Sequence, residues 1–540
     1  MMHFVYDIPN RDGLKLKTFV FLPDGDPHIE NGAFPTVIYR NPYTAYDNPF
    51  DYYRQFSEPL AEGGYAVVVQ NCRGRGGSEG EFIPFAYERE DGLDLIKWVE
   101  NAGFFNGEIY LAGGSYLCFV HLSYMNTLPE SVKGAYLHVM SADGTSAFFK
   151  AGAFKTDIIP VWYLGLYHTE RLIHKTPHAS YKTEWAKLPK TDYTRRCYGF
   201  DVQPFNDIFL LRNDPDACKG AFSDAADSFR NLRIPVLVAD GWSEMFLDGM
   251  IQMWEELPNE TRDNSAFMLG PWGHHLNIEN NWCYTFDNNR SVFCTPREWF
   301  DHIRNGEPLK KIQTGMINYY IPGQSKWSVS KHFQNGCSSV EFYIHSNGLL
   351  SGTRPKPGQM SFNADPDNPV WFPGGPNTFC TSPVGFAKQP DPGFSSDVLT
   401  FISEPLSDNL SIHGKAKLIL DISSDCMSTM FIARMCCIEQ NGNATVIQDA
   451  PFVIDKIEPN TPVTVTLNFG FLCWTIRKSE KLRIDISSSD SHSYMVHPNV
   501  PGDIFSQTKK AIAHQTVFTG NSRLIIPTDP PVNNASSDRL

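Results

Sequence analysis

Hydrophobic and polar positions fall into three regimes along the chain. In the first, strand-sized apolar runs alternate with a helical pattern. Residues 19–22 and 36–39 are short apolar runs, and residues 65–72, carrying Val67, Val68 and Val69, form a β-branched run flanked by glycines. Residues 91–99 place Leu93, Ile96, Trp98 and Val99 at mixed helical spacing. Residues 109–111 then predict a strand, residues 117–124 an apolar helix and residues 134–139 another strand. Such alternation predicts a mainly parallel sheet covered on both faces.

From about residue 149 to residue 229 the alternation stops. Trp162, Tyr163, Tyr167, Tyr181 and Trp185 stand among charged residues with no clear β-branched run, which predicts a helical insertion. The α/β pattern resumes at residues 234–239 and 267–269, with a helix near residues 297–304 and a strand near residues 316–321. After about residue 335 the runs become β-rich: 340–344, 398–402, 416–422, 429–437, 463–467 and 481–486, separated by Gly, Pro, Asn and Asp. Short strands spaced in this way predict a β-sandwich. The expected organisation is an α/β domain over residues 1–148 and 231–335, a helical cap over 149–230, and a C-terminal β-sandwich over 336–540, with a tail from about residue 528 that frays.

Length and composition agree with this division. A chain of 540 residues exceeds one ordinary core. Hydrophobic residues at 41% and charged residues at 20% supply enough apolar surface for large folded domains. The net charge of −14 argues against non-specific binding to nucleic acid or to an anionic membrane. The apolar runs are strand-sized rather than bilayer-sized, and the N-terminus lacks the basic-then-apolar layout of a secretory leader. Twelve cysteines are scattered without a metal-type Cys-x-x-Cys pair. They are expected to be reduced, buried small residues of a cytoplasmic protein.

The most informative stretch is Glu108-Ile-Tyr-Leu-Ala-Gly-Gly-Ser-Tyr-Leu-Cys-Phe-Val, a strand that runs through Gly-Gly-Ser into an apolar helix. Ser115 there would sit on a sharp strand-to-helix turn, with free helix N–H groups aimed at a developing oxyanion. Serine also caps helices well, and Leu117 breaks the strict Gly-x-Ser-x-Gly pattern. A hydroxyl nucleophile needs an imidazole, and the imidazole needs an acid to fix its tautomer. Phe267-Met-Leu-Gly-Pro-Trp-Gly-His-His places His274 and His275 on the loop after a late strand, without the spacing of a zinc site. The acid is expected between serine and histidine, where the strand at 234–239 leads into a loop holding Asp240, Glu244 and Asp248. Spacing alone does not choose among these three carboxylates, nor between the two histidines.

Several motifs in order resemble those of the CocE/NonD group of α/β-hydrolases, which includes cocaine esterases, α-amino-acid ester hydrolases, glutaryl-cephalosporin acylases and Xaa-Pro dipeptidyl-peptidases. They are Ile8-Pro-Asn-Arg-Asp-Gly, Tyr39-Arg-Asn-Pro-Tyr, Asn71-Cys-Arg-Gly-Arg-Gly-Gly-Ser, Glu90-Asp-Gly-Leu-Asp, Gly-Gly-Ser115-Tyr, Gly-Trp242-Ser-Glu and Gly-Pro-Trp-Gly-His274. The resemblance implies an α/β-hydrolase core with an inserted helical cap and a C-terminal jelly roll. It makes Ser115 the nucleophile, His274 the base, and Glu244 the acid in place of the group's usual Asp, with Asp248 in reserve. It also implies an oxyanion hole formed by the N–H of Tyr116 and the hydroxyl of Tyr43. Trp162, Tyr163 and Trp242 are candidate pocket walls. Cys118 replaces a glycine of the group and implies small repacking of the elbow.

The implied chemistry is hydrolysis of a small-molecule carboxylic ester or amide through an acyl-enzyme, without metal or organic cofactor. The rivals are an Xaa-Pro-type dipeptidyl-peptidase, an acyltransferase using the same serine, and a catalytically silent binding protein. The β-sandwich and cap offer surfaces on which a homo-oligomer could form.

Overall fold

The computed structural model describes the chain outside residues 25–33, 45–48, 157–159, 161, 163–178, 215, 216, 218–221, 223, 224, 226, 277–291, 377–382 and 530–540. The first layer is a ten-stranded sheet: β1 (Met2–Pro9), β2 (Lys15–Leu22), β3 (Phe34–Asn41), β4 (Ala66–Asn71), β5 (Phe105–Gly114), β6 (Val132–His138), β7 (Val236–Gly241), β8 (Ala266–Gly270), β9 (Met316–Ile321) and β10 (Lys326–Ser330). Their spatial order is β1-β2-β4-β3-β5-β6-β7-β8-β9-β10, and every pair from β4 to β9 is parallel. Parallel strands need crossovers, and these put helices on both faces, so central strands are buried on both sides. β4, β7 and β8 are buried at every position.

Alternate residues of one strand feed two cores. Val67 and Val69 of β4 pack with Tyr53 and Leu60 of helix α1 (Pro49–Glu62) and with Trp299 and Phe300. Val68 points the other way, into the core that holds Leu95 and Val99 of helix α2 (Glu88–Glu100) and Phe119 of helix α3 (Tyr116–Leu122). The hairpin of β1 with β2 and the antiparallel edge strand β10 extend the sheet beyond what the apolar pattern predicts. Most of β1 is solvent-exposed, so no core face imprints a period on its sequence.

Residues 144–229 contribute the helices Gly144–Phe148, Ala179–Ala186, Tyr193–Tyr198 and Gln203–Leu210, together with a two-residue hairpin of Phe149–Lys150 and Ala153–Phe154. The C-terminal strands form one continuous hydrogen-bonded path rather than two separate sheets. Two long strands, Leu410–Ser424 and Ala513–Thr528, make this possible, because their mutual pairing shifts register at bulges after Ile412 and Ile419. Bulges sharpen bend and twist, so the β-rich C-terminal domain, expected as a β-sandwich, is built from one curled path. A buried Arg434, bonded at 2.8 Å to both Asp449 and Asp490, crosslinks this domain internally. Among the described residues no helix is long and apolar enough to cross a membrane.

Candidate active site

The site is built on the C-terminal ends of adjacent parallel strands, where the loops after β5, β7 and β8 rise on the same edge of the sheet. β5 ends in Gly113-Gly114, and Ser115 follows with φ 56° and ψ −130°. A serine seldom visits this region, and holding it there costs on the order of 1–3 kcal/mol. The surroundings enforce it. The N–H of Ser115 donates to the carbonyl of His138 at 3.0 Å, and the carbonyl of Ser115 receives the N–H of Cys118 at 2.9 Å. A Cβ on Gly113 would lie 2.1 Å from the Leu117 carbonyl oxygen, and one on Gly114 would lie 1.8 Å from Nε2 of His138. Both glycines are therefore needed for the close turn. Cys118 fits as a buried thiol whose pKa burial drives upward, so it packs and does not react.

Strand β7 leads into the loop carrying Glu244, and β8 into the loop carrying His274 and His275. The two loops are laced together: the N–H groups of Trp242 and Ser243 donate to the carbonyls of Gly270 and Trp272 at 3.0 and 3.1 Å. Glu244 and His274 are 2% and 8% exposed, and Oε2 of Glu244 lies 3.1 Å from Nδ1 of His274. An ionised carboxylate only accepts, so this contact puts the proton on Nδ1 and leaves Nε2 with its lone pair. The other oxygen of Glu244 receives the N–H of Phe246 at 3.3 Å. The longer glutamate is thus held at both oxygens.

Neither alternative carboxylate occupies this position. The Asp248 side chain is 52% exposed and lies 4.0 Å from Lys150. Asp240 is fully buried at the end of β7, where burial first and Glu244 second push its carboxyl well above the usual range. His275 is exposed, with its ring centroid 5.6 Å from that of His274.

Phe246 touches the surroundings of both His274 and Ser115. Its ring centroid is 6.0 Å from that of His274, and it lines a cavity of about 20 Å³ together with Ser115, Tyr116, Phe85, Met140, Phe148 and Trp162. His138, whose carbonyl anchors Ser115, is held neutral with a pKa lowered to about 3, chiefly by burial. Sequence reasoning missed Phe85, His138, Met140, Phe148 and Phe246. Phe85 has φ 71°, a backbone state no local pattern announces for an aromatic residue. Phe246 alone carried a signal, an apolar side chain two residues past the acid.

The candidate oxyanion donors are arranged separately. Tyr116 opens α3, so its N–H has no partner within the helix. Its hydroxyl is turned away from the cavity: it donates to Glu88 at 2.7 Å and receives the N–H of Phe85 at 2.8 Å. Tyr43 sits on a turn after β3 that is clamped by Asn41, whose side chain donates to the Tyr43 carbonyl at 2.7 Å and receives its N–H at 3.1 Å. The Tyr43 hydroxyl accepts from Nε1 of Trp162 at 3.1 Å, and Trp162 lines the cavity beside Ser115. Trp162 therefore lies where a pocket residue should, and Tyr163 lies outside the described residues. Trp242 does not line the described cavity beside Ser115. Its Nε1 donates to the Tyr320 carbonyl at 2.6 Å and its ring stacks on Phe471, so its large apolar face is spent on the contact with the C-terminal domain.

Comparison with known proteins agrees with this architecture. Residues 12–276 match the family of X-Pro dipeptidyl-peptidases (S15 family), and residues 312–524 match the X-Pro dipeptidyl-peptidase C-terminal non-catalytic domain. The cocaine esterase of Rhodococcus sp. (strain MB1 Bresler) is 23% identical over 488 residues, covering 82% of this chain and 81% of that protein. An α-amino acid ester hydrolase structure superposes with a TM-score of 0.81 at 21% identity, covering 98% of this chain and 96% of that one. An aminopeptidase from a marine sediment archaeon, Thaumarchaeota archaeon, superposes at 0.79 with 19% identity, covering 97% and 96%. With an α/β core of this strand order and a β-rich C-terminal domain, the chain belongs to the CocE/NonD-type family of α/β-hydrolases.

Proposed function

We propose that this protein is a serine hydrolase that cleaves a carboxylic ester or amide of a small molecule through an acyl-enzyme. The observation that carries the reading is the left-handed Ser115 at the end of β5, on the same sheet edge as a buried Glu244–His274 pair. Ser115 Oγ attacks the carbonyl carbon while Nε2 of His274 takes its proton. The N–H of Tyr116 and the hydroxyl of Tyr43 receive the negative charge on the carbonyl oxygen. His274 then protonates the leaving alcohol or amine. Water repeats the sequence in reverse and frees the acid. Glu244 holds the Nδ1–H tautomer and stabilises the imidazolium without taking its proton. Every step uses side chains and backbone of the chain itself. The side chains that line the small cavity beside Ser115 are mostly apolar and aromatic.

A fluorophosphonate probe tests the reading, because it reacts with an activated serine regardless of the natural substrate. The expected result is one label, on the peptide containing Ser115. Ser115→Ala should lose the label, and hydrolysis should fall on the order of 10⁶-fold. An unlabelled wild type would favour the silent binding protein.

A second reading, an Xaa-Pro-type dipeptidyl-peptidase, is favoured by the family match over residues 12–276. Dipeptidyl-proline anilides assayed against simple nitrophenyl esters separate the two. Product analysis with an added amine or alcohol detects transfer of the acyl group to an acceptor other than water.

A further inference from the structure

Lys155 lies outside the proposed catalytic set, yet its side chain reaches the acid loop from the insertion. It follows the short hairpin of residues 149–154 and is 7% exposed. Its Nζ donates to the carbonyl of Met245 at 2.7 Å and to the carbonyl of Ser146 at 2.5 Å. Met245 is the residue between Glu244, which bonds His274, and Phe246, which packs on the His274 ring. The ammonium also lies 5.9 Å from the centre of the Phe246 ring. On its other side the Lys155 backbone forms an antiparallel bridge with Tyr494 of the C-terminal domain. A small cavity of about 20 Å³ at this junction is lined by Lys155, Glu244, Asp248, Gln448, Ser493 and Tyr494.

A buried ammonium is costly unless its hydrogens are paired. A methionine of similar length would fill the same space, but it would leave two buried carbonyls without this donor. The charge-assisted bond to the Met245 carbonyl fixes the Met245–Phe246 peptide unit, which lies between the two residues touching the imidazole. We infer that Lys155 is a positioning residue for the proposed hydrolysis, tying the acid loop to the insertion so that Glu244 and Phe246 hold His274 in its reactive orientation. This rests on the Ser115–His274–Glu244 reading.

The charge environment gives the inference a pH signature. Lys155 faces Asp248, Lys150, Glu244 and Asp143. Burial, the largest influence, lowers its pKa from 10.5 to about 8, Lys150 adds to that, and the three carboxylates oppose it. The ammonium is therefore present below about pH 8 and is lost above it. The neutral amine still bonds the Met245 carbonyl, but weakly, and it no longer offsets the charge of Glu244. An arginine keeps its charge throughout this range.

The experiment measures the fluorophosphonate labelling rate from pH 6 to about pH 10 for wild type, Lys155→Met, Lys155→Arg and Ser115→Ala, with thermal melting of each. Wild-type labelling should fall through about pH 8, where Lys155 loses its proton. Lys155→Met should label slower at neutral pH, on the order of 10²-fold, the usual cost of a small misplacement of reacting groups. Lys155→Arg should recover most of the rate and abolish the alkaline fall. If Lys155→Met folds poorly, the Arg profile still decides. Ser115-dependent labelling with the same rate and the same pH profile in wild type and both Lys155 variants overturns the positioning role alone. Labelling that survives Ser115→Ala overturns the reading of the site, and the role of Lys155 with it.

Discussion

In the proposed mechanism the nucleophile elbow at Ser115 and the acid loop at Glu244 do comparable jobs, yet the two segments are stabilised in opposite ways. The elbow is held by its own neighbourhood: two glycines, the first turn of α3, and the carbonyl of His138 on the adjoining strand. The acid loop, residues 242–246, is held from every side. The histidine loop receives two of its N–H groups, the insertion binds Met245 through Lys155, and the C-terminal domain receives the Ser243 hydroxyl at the Gly375 carbonyl, 3.2 Å away. Arg434, the buried crosslink of that domain, also donates to the Pro373 carbonyl at 3.0 Å and so supports the segment that meets Ser243. The elbow stores strain that local packing enforces. The acid loop instead depends on three parts of the chain docking correctly. The nucleophile is therefore expected to survive perturbation of the domain contacts, while the orientation of the imidazole is not.

Three substitutions sharpen this contrast. Glu244→Gln keeps the size of the acid but allows the wrong histidine tautomer. It should lower kcat on the order of 10⁴-fold with little change in melting temperature, as seen by steady-state assay on a nitrophenyl ester. A loss below tenfold would move the acid role to another residue. Gly113→Ala strikes the elbow. Its new Cβ meets the Leu117 carbonyl, so the turn must open. Destabilisation of about 1–3 kcal/mol is expected by denaturant unfolding, together with slower probe labelling. The smallest effect is expected for Trp242→Phe. It removes the bond to Tyr320 while keeping an aromatic ring against Phe471, for about 0.5–1.5 kcal/mol of stability. Its preference among esters of different acyl size should not change. A changed preference would return Trp242 to the pocket wall.

The same contrast explains what could be read from the sequence. The elbow is a local object: a strand, small residues, a serine and a helix follow one another within the stretch around Ser115, and the required backbone is written in its glycines. The parallel core was equally visible, because Val67–Val69 and residues 236–239 are buried on both faces and so read as continuous apolar runs. The partners of His274 were not visible in this way. Asp240, Glu244 and Asp248 recur at equal spacing along the sequence, and only family resemblance favoured the residue that the fold brings against Nδ1. Asp240 is buried at a strand end and Asp248 has turned outward at the start of a helix, distinctions of depth that spacing does not encode. Trp242 is only a candidate pocket wall on sequence grounds, because a large aromatic beside this loop serves either a ligand or a domain contact. Only the position of Phe471, far along the chain, decides between them. Lys155 and the left-handed Phe85 left no local trace, since the constraint on each comes from residues distant in sequence.

The most direct test is a crystal structure of the protein after reaction with a phosphonate ester, which mimics the tetrahedral intermediate. The account predicts a covalent bond from phosphorus to Ser115 Oγ, with the phosphoryl oxygen within hydrogen-bond reach of the Tyr116 N–H and the Tyr43 hydroxyl. Nε2 of His274 should face Ser115 Oγ or the leaving-group side, and Nδ1 should remain on Glu244. An adduct on a different side chain, or one on Ser115 with the imidazole of His274 turned away and bonded elsewhere, would contradict it.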